Sequence, residues 1–205
     1  MMKRLLLSQG RTGSLNLVRY VKESNKKLKV YREPFNTTAI KDTNIFIPLS
    51  QIIKDTNNFV ENKIGKGSLP EELQNLSTDD LMYYLLSNFD IIGILSRRDL
   101  NLQTQSVLNA KLSNTWNSQY LYKDVDVNLF PEFKDQLKNE KTQLEYISNN
   151  YNIPIFYYED LYINSQKENL KLFCDYFQIT FDENIMNFHM NISKKYRIDT
   201  NKTIM

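Results

Sequence analysis

The segment Ser8-Gln9-Gly10-Arg11-Thr12-Gly13-Ser14 has the residue types of an anion-binding turn. Its glycines let the backbone turn closely, successive amides can then point at anionic oxygens, and a helix starting just beyond adds the positive end of its dipole. Arg11 contributes a guanidinium with several geometrically fixed donors, the pattern suited to phosphate or sulfate. The plainer reading is a glycine turn with an exposed arginine. The spacing is neither GxxxxGK[ST] nor GxGxxG, so triphosphatase and dinucleotide readings lose their direct support. A second polar junction, Ser96-Arg97-Arg98-Asp99, follows the apolar run Ile91-Ile92-Gly93-Ile94-Leu95. Either arginine there could meet an anion, pair with Asp99 or face solvent. Glu33, between Arg32 and Pro34, could accept a proton or simply pair with Arg32. The single cysteine, Cys174, and the single histidine, His189, exclude an intramolecular disulfide framework, multi-cysteine metal sites and His-rich metal clusters.

These residues need elements that carry them to one place. Lys3 to Leu7 reads as a buried strand and Ser14 to Val21 as a helix with Ser14 as its cap, so the glycine turn lies between strand and helix. Leu28 to Tyr31 reads as a second strand, stopped by Pro34. Leu49 to Ile53 suggests a short helix, Asn58 to Ile64 a strand, and Gly65 to Ser68 a loop. Ser77 with Asp79 and Asp80 marks a helix start, with Leu81, Met82, Leu85 and Leu86 as its apolar face. Phe89 to Leu95 is a strand, followed by a helical stripe at Leu100, Thr104, Leu108, Leu112 and Trp116. Phe133, Leu137, Leu144 and Ile147 mark a further helix. Ile155 to Tyr158 reads as a strand, and Leu170 to Phe177 as a helix. Repeated strand and helix alternation predicts a three-layer α/β domain with a mainly parallel sheet, spanning 1–205 as one unit.

Two of these junctions, in this order, resemble the signatures of sulfotransferases. SQGRTGS looks like their 5'-phosphosulfate loop, especially the Ser-x-x-Arg-[Ser/Thr]-Gly-Ser form of the bacterial carbohydrate branch that includes the trehalose-modifying enzymes. SRRDLNLQTQS resembles their second signature, with a serine eight residues after the arginine, as Ser106 follows Arg98. Gln103, Ala110, Thr115 and Trp116 fit the same helix, and Tyr158-Glu159-Asp160-Leu161 resembles the late Y-E-D-L stretch. The resemblance implies a P-loop-like sulfotransferase fold that uses 3'-phosphoadenosine 5'-phosphosulfate and releases adenosine 3',5'-bisphosphate (PAP). It implies that Ser8, Gln9, Gly10, Arg11, Thr12, Gly13 and Ser14 hold the 5' end and that Arg98 and Ser106 hold the 3'-phosphate, with Arg97 as the weaker alternative. It makes Glu33 the base, gives Arg11 the developing sulfuryl charge, assigns Lys63 or Lys66 to the leaving group, and closes Lys194, Lys195 or Arg197 over the donor. Glu159 and Asp160 are then structural, and adjacent strand positions would point them to opposite sides.

The expected reaction is sulfuryl transfer to a hydroxyl, on a carbohydrate or sugar-containing metabolite by analogy with that branch. No metal is expected. Two alternatives stand beside it: a nucleotide-binding phosphotransferase, which would call for a divalent ion, and a catalytically inactive sulfotransferase-like binding module. The formal charge of +2 is too small to argue for nucleic acid. No run approaches the roughly 20 apolar residues that span a bilayer, and the opening apolar run is short for a signal peptide. A cytoplasmic enzyme, either monomeric or a homodimer, is the expectation.

Overall fold

The computed structural model describes residues 2–34, 49–65, 68–112 and 125–189. Five strands, β1 (Lys3–Ser8), β2 (Lys29–Arg32), β3 (Asn58–Lys63), β4 (Ile91–Ser96) and β5 (Ile155–Tyr157), form one sheet in the order β2-β3-β1-β4-β5. Every pairing is parallel. Between the strands run α1 (Ser14–Ser24), α2 (Leu49–Lys54), α3 (Glu71–Gln74), α4 (Thr78–Asn88), α5 (Leu100–Leu112) and α6 (Pro131–Tyr151), and β5 is followed by α7 (Tyr158–Tyr162) and α8 (Gln166–Phe177).

The continuous apolar run of β1 is explained by its position, since a central parallel strand is covered on both faces. Leu5 and Leu7 pack on one face with Ile52, Val60, Leu81, Met82, Leu85, Ile94, Leu144 and Ile147, which brings in α2, α4 and α6. Leu6 packs on the other with Leu17, Tyr20, Phe59, Leu95, Phe173, Cys174 and Phe177, which brings in α1 and α8. The predicted three-layer α/β architecture is therefore present. On the second face Gly93 leaves room for an aromatic cluster, because a Cβ there would lie 2.6 Å from the Phe177 ring. Phe177 in turn meets Phe59 edge-on at 5.3 Å between centroids and Phe173 at 4.7 Å.

The strand order places β3 and β4 on either side of β1, so the three strands end together. Ser8 is level with Lys63 on β3 and with Leu95 on β4. This is where an open parallel sheet forms a crevice beyond its carboxyl ends, because the crossovers diverge there.

Several local expectations are revised. The first helix is capped by Gly13, in the left-handed region at φ 79°, and Ser14 is its first residue rather than its cap. Ser77 does cap α4, accepting from the Asp80 N–H at 3.1 Å. Leu86 and Leu112, placed on apolar stripes by their spacing, are 47% and 63% exposed. In α5 the buried side includes Gln103 and Asn109 alongside Leu108. Tyr158 starts α7 instead of ending a strand, so Glu159 and Asp160 are helical neighbours and do not point to opposite sides. Trp116 and Thr115 lie outside the described residues, as do Lys66, Lys194, Lys195 and Arg197. No helix among the described residues is long and apolar enough to cross a membrane.

Phe177 is fully buried at the centre of the aromatic cluster. Truncation to alanine should therefore cost about 3–5 kcal/mol, read as a lower urea midpoint at an unchanged slope.

Candidate anion-binding and transfer site

The turn between β1 and α1 is fixed from below and from both sides. Ser8 is fully buried, and its hydroxyl donates to Glu61 on the neighbouring strand β3. The Gln9 amide spans two layers, donating to the Leu137 carbonyl of α6 at 2.9 Å and accepting from the Ser96 hydroxyl at the end of β4 at 2.9 Å. Thr12, also buried, closes the turn on itself by donating to the Gln9 carbonyl at 3.0 Å. The Tyr162 hydroxyl holds the Gly13 carbonyl at 2.6 Å, and its ring lies 2.9 Å from where a Gly13 Cβ would stand. A positive φ and a crowded Cβ position together explain glycine there. The Gly13 carbonyl also begins the α1 ladder, accepting from the Leu17 N–H at 3.3 Å.

The turn meets the second signature directly. Arg11, itself in the left-handed region at φ 62°, donates from Nε to the Ser106 hydroxyl of α5 at 3.0 Å. One turn earlier in the same helix, Gln103 donates to the Gly10 carbonyl at 2.7 Å. A side-chain amide buried on α5 is thus used to hold the loop, which accounts for the polar side of that helix. Residues 95 apart in sequence, one in the turn after β1 and one in the helix after the adjacent strand β4, become hydrogen-bonded neighbours.

The two arginines at the β4 exit have different surroundings. Arg98 makes a two-pronged ion pair with Asp160, both contacts at 2.6 Å, and its guanidinium lies 4.2 Å over the Tyr157 ring. The Asp160 carboxylate raises the Arg98 pKa further above its ordinary value. Arg97 is buried and lies 4.6 Å over the Tyr158 ring, and its Nε is 3.6 Å from Glu159 without a hydrogen bond. Glu159 itself accepts from the Arg98 N–H at 3.0 Å. Both acids of α7 are therefore engaged by the β4 exit, in agreement with the structural role expected of them.

On the other side of β1, the predicted base and the predicted lysine are in contact. Glu33 follows β2 with φ 45°, is only 5% exposed, and donates its N–H to the Glu61 carbonyl at 2.7 Å. A non-glycine residue in this conformation carries backbone strain that the surrounding contacts must overcome. Its carboxylate is 2.7 Å from Lys63 Nζ and 3.1 Å from the Arg32 guanidinium. Glu33 is therefore not the exposed partner of Arg32 alone that the sequence allowed. Asn62 donates to the Lys63 and Ser68 carbonyls, each at 2.8 Å, closing the loop beyond β3. Beside it a shallow depression is lined by Ile64, Gly65, Gln136 and Glu140.

The sequence reading passed over Glu61, Gln9's bridging role and Tyr162. Glu61 had a signal: an acid inside Phe59-Val60-Glu61-Asn62, a stretch of an interior strand whose side chains are all buried. Among the described residues no group of histidine, cysteine and carboxylate side chains could hold a metal ion. His189 lies 3.0 Å from Glu23, and Cys174 is a buried free thiol.

No family model matches this chain, and no curated protein matches it in sequence. Among solved structures, mouse sulfotransferase SULT7A1 complexed with PAP superposes with a TM-score of 0.55 at 11% identity, over 100% of this chain and 66% of the mouse protein. Shikimate kinase from Bacteroides thetaiotaomicron superposes with a TM-score of 0.42 at 8% identity, over 87% of this chain and 100% of the kinase. The chain thus spans about two thirds of the mouse protein's length, and what it shares with it is the P-loop-like α/β fold.

Proposed function

We propose that this chain is a sulfotransferase that moves the sulfuryl group of 3'-phosphoadenosine 5'-phosphosulfate to a hydroxyl. The observation that carries the reading is the 3.0 Å hydrogen bond from Arg11 to Ser106, because it puts the two segments that resemble the signatures in direct contact. A donor with two separated anionic ends needs that convergence. The fold shared with a sulfotransferase complexed with PAP supports the same reading.

In this reading Ser8 to Ser14 receive the 5'-phosphosulfate, and Arg98 with Ser106 receives the 3'-phosphate. The acceptor oxygen attacks sulfur in line as the bond from sulfur to the bridging phosphate oxygen breaks, and PAP leaves. Glu33 takes the acceptor proton. Arg11 and Lys63 meet the negative charge that builds on the peripheral and bridging oxygens. The resting pair of Glu33 with Lys63 supports this division of labour, since arrival of the donor gives the ammonium a second anion and frees the carboxylate toward the acceptor. A carbohydrate or sugar-containing metabolite as acceptor, and a cytoplasmic setting, rest on the resemblance of SQGRTGS to the trehalose-modifying branch.

Calorimetric titration should give tight, magnesium-independent binding of PAP and much weaker binding of adenosine 5'-monophosphate. Preference for ATP that depends on magnesium would replace this reading with phosphoryl transfer. Arg98→Ala should lower the preference for PAP over the monophosphate by roughly 10- to 100-fold, the loss of a charge-assisted pair. Glu33→Gln should keep PAP affinity within about threefold while slowing transfer by roughly 100-fold or more; unchanged turnover would remove Glu33 from proton transfer.

A further inference from the structure

Glu61 is the buried group that the proposed reaction leaves without a task. Its side chain is fully inaccessible, on the α1 side of the central strand β3. One carboxyl oxygen accepts from Ser8, where the anion-binding turn begins, and the other is buried without a hydrogen-bond partner among the described residues. Tyr162, whose hydroxyl fixes the Gly13 carbonyl near the end of the turn, also interacts electrostatically with Glu61. The carboxyl therefore holds the start of the turn at Ser8 and acts electrostatically on the tyrosine that holds its end. Among the described residues, the charged and titratable groups around it are Arg32 from β2, Glu33 just after it, Lys63 from its own strand and Tyr162 from α7, with Ser8 facing it from β1.

We propose that Glu61 is a positioning residue that, as the neutral acid, anchors Ser8 and keeps the floor of the anion-binding turn free of a second negative charge beside Glu33. Burial, and then the neighbouring Glu33 carboxylate, push its pKa above the ordinary carboxylate range. Lys63 and Arg32 act the other way, but both are already in contact with Glu33. A buried carboxyl sharing two cations with a second acid is favoured in its neutral form. Once ionised, it would place a negative charge next to the residues that must receive phosphate and sulfate, and repulsion over a few ångströms of low-dielectric interior is large enough to decide binding. Glu61 thus acts through Ser8 and the turn and does not touch the donor. The idea deepens the sulfotransferase reading and rests on the turn being its anion site.

The test compares the intact chain with Glu61→Gln, which keeps the shape and the neutral charge but cannot ionise. Affinities for PAP and for inorganic sulfate, which keeps its charge throughout the range, are measured by calorimetry from about pH 5.5 to about pH 8.5. The two proteins should bind alike at the acid end. As pH rises through the elevated Glu61 pKa, the unmodified chain should lose affinity relative to Glu61→Gln by roughly tenfold or more. Ser8→Ala supplies an independent arm: the Ser8 hydroxyl favours the ionised form of Glu61, so its removal should move the loss to higher pH. A parallel pH dependence in the unmodified chain and Glu61→Gln would overturn the proposal. Sulfate binding with the expected divergence, but no PAP binding, would sustain it and sink the donor assignment instead. Failure of the chain to bind either anion would overturn both.

Discussion

The hydrogen bond between Arg11 and Ser106 depends on a constraint set far below it, the burial of β1 on both faces in the middle of a parallel sheet. A strand covered on both sides cannot slide by one residue without turning Leu5, Leu6 and Leu7 onto the wrong layers. Its register against β3 and β4 is therefore fixed, and with it the level at which Ser8 leaves the sheet. Because all the strands run the same way, each polar exit arrives at the same end. The turn after β1, the two arginines after β4 and the acid after β2 are thus all delivered to one end of the sheet.

The charge at that end is distributed by depth. On the β2 and β3 side, two carboxylic acids, Glu33 and Glu61, lie under limited solvent with Lys63 and Arg32 as their cations. On the β4 side, Arg97 and Arg98 face Glu159 and Asp160. With Glu61 neutral, Lys63 and Arg32 share the single carboxylate of Glu33, while on the β4 side two arginines face two acids. In the proposed reaction, a doubly anionic nucleotide would compete with carboxylates already in place, exchanging ion pairs instead of creating them in an empty basic groove.

The fold was legible because its signals are local and repeated. Short buried runs, glycine or proline breaks and helical spacing marked all five strands and the long helices, and the loop after β1 could be read from its glycines and Arg11. What escaped depended on contacts across the chain. Leu86 and Leu112 have apolar spacing but stay exposed, so periodicity alone placed them wrongly. The Gln9 bridge to Ser96 and Leu137 has no sequence signature, since a glutamine at a strand exit looks the same whether it meets water or another layer. Tyr158 has high strand propensity, yet it opens α7 with its ring beneath Arg97, a tertiary contact that outweighs the local preference.

The two arginines after β4 show how depth can separate neighbouring residues of identical charge. Arg97 is desolvated against Tyr158, with a buried Nε that finds no hydrogen-bond partner among the described residues, and moving it would disturb the packing beside Gly13. Arg98 has better geometry with its acid, but its side chain is 49% exposed and Asp160 is 29% exposed. An ion pair in that setting contributes little to stability, because water and salt compete for both partners. The better-formed pair is therefore the easier one to exchange. A phosphate reaching α5 and Ser106 could draw Arg98 from Asp160 at small cost, while Arg97 stays as part of the wall.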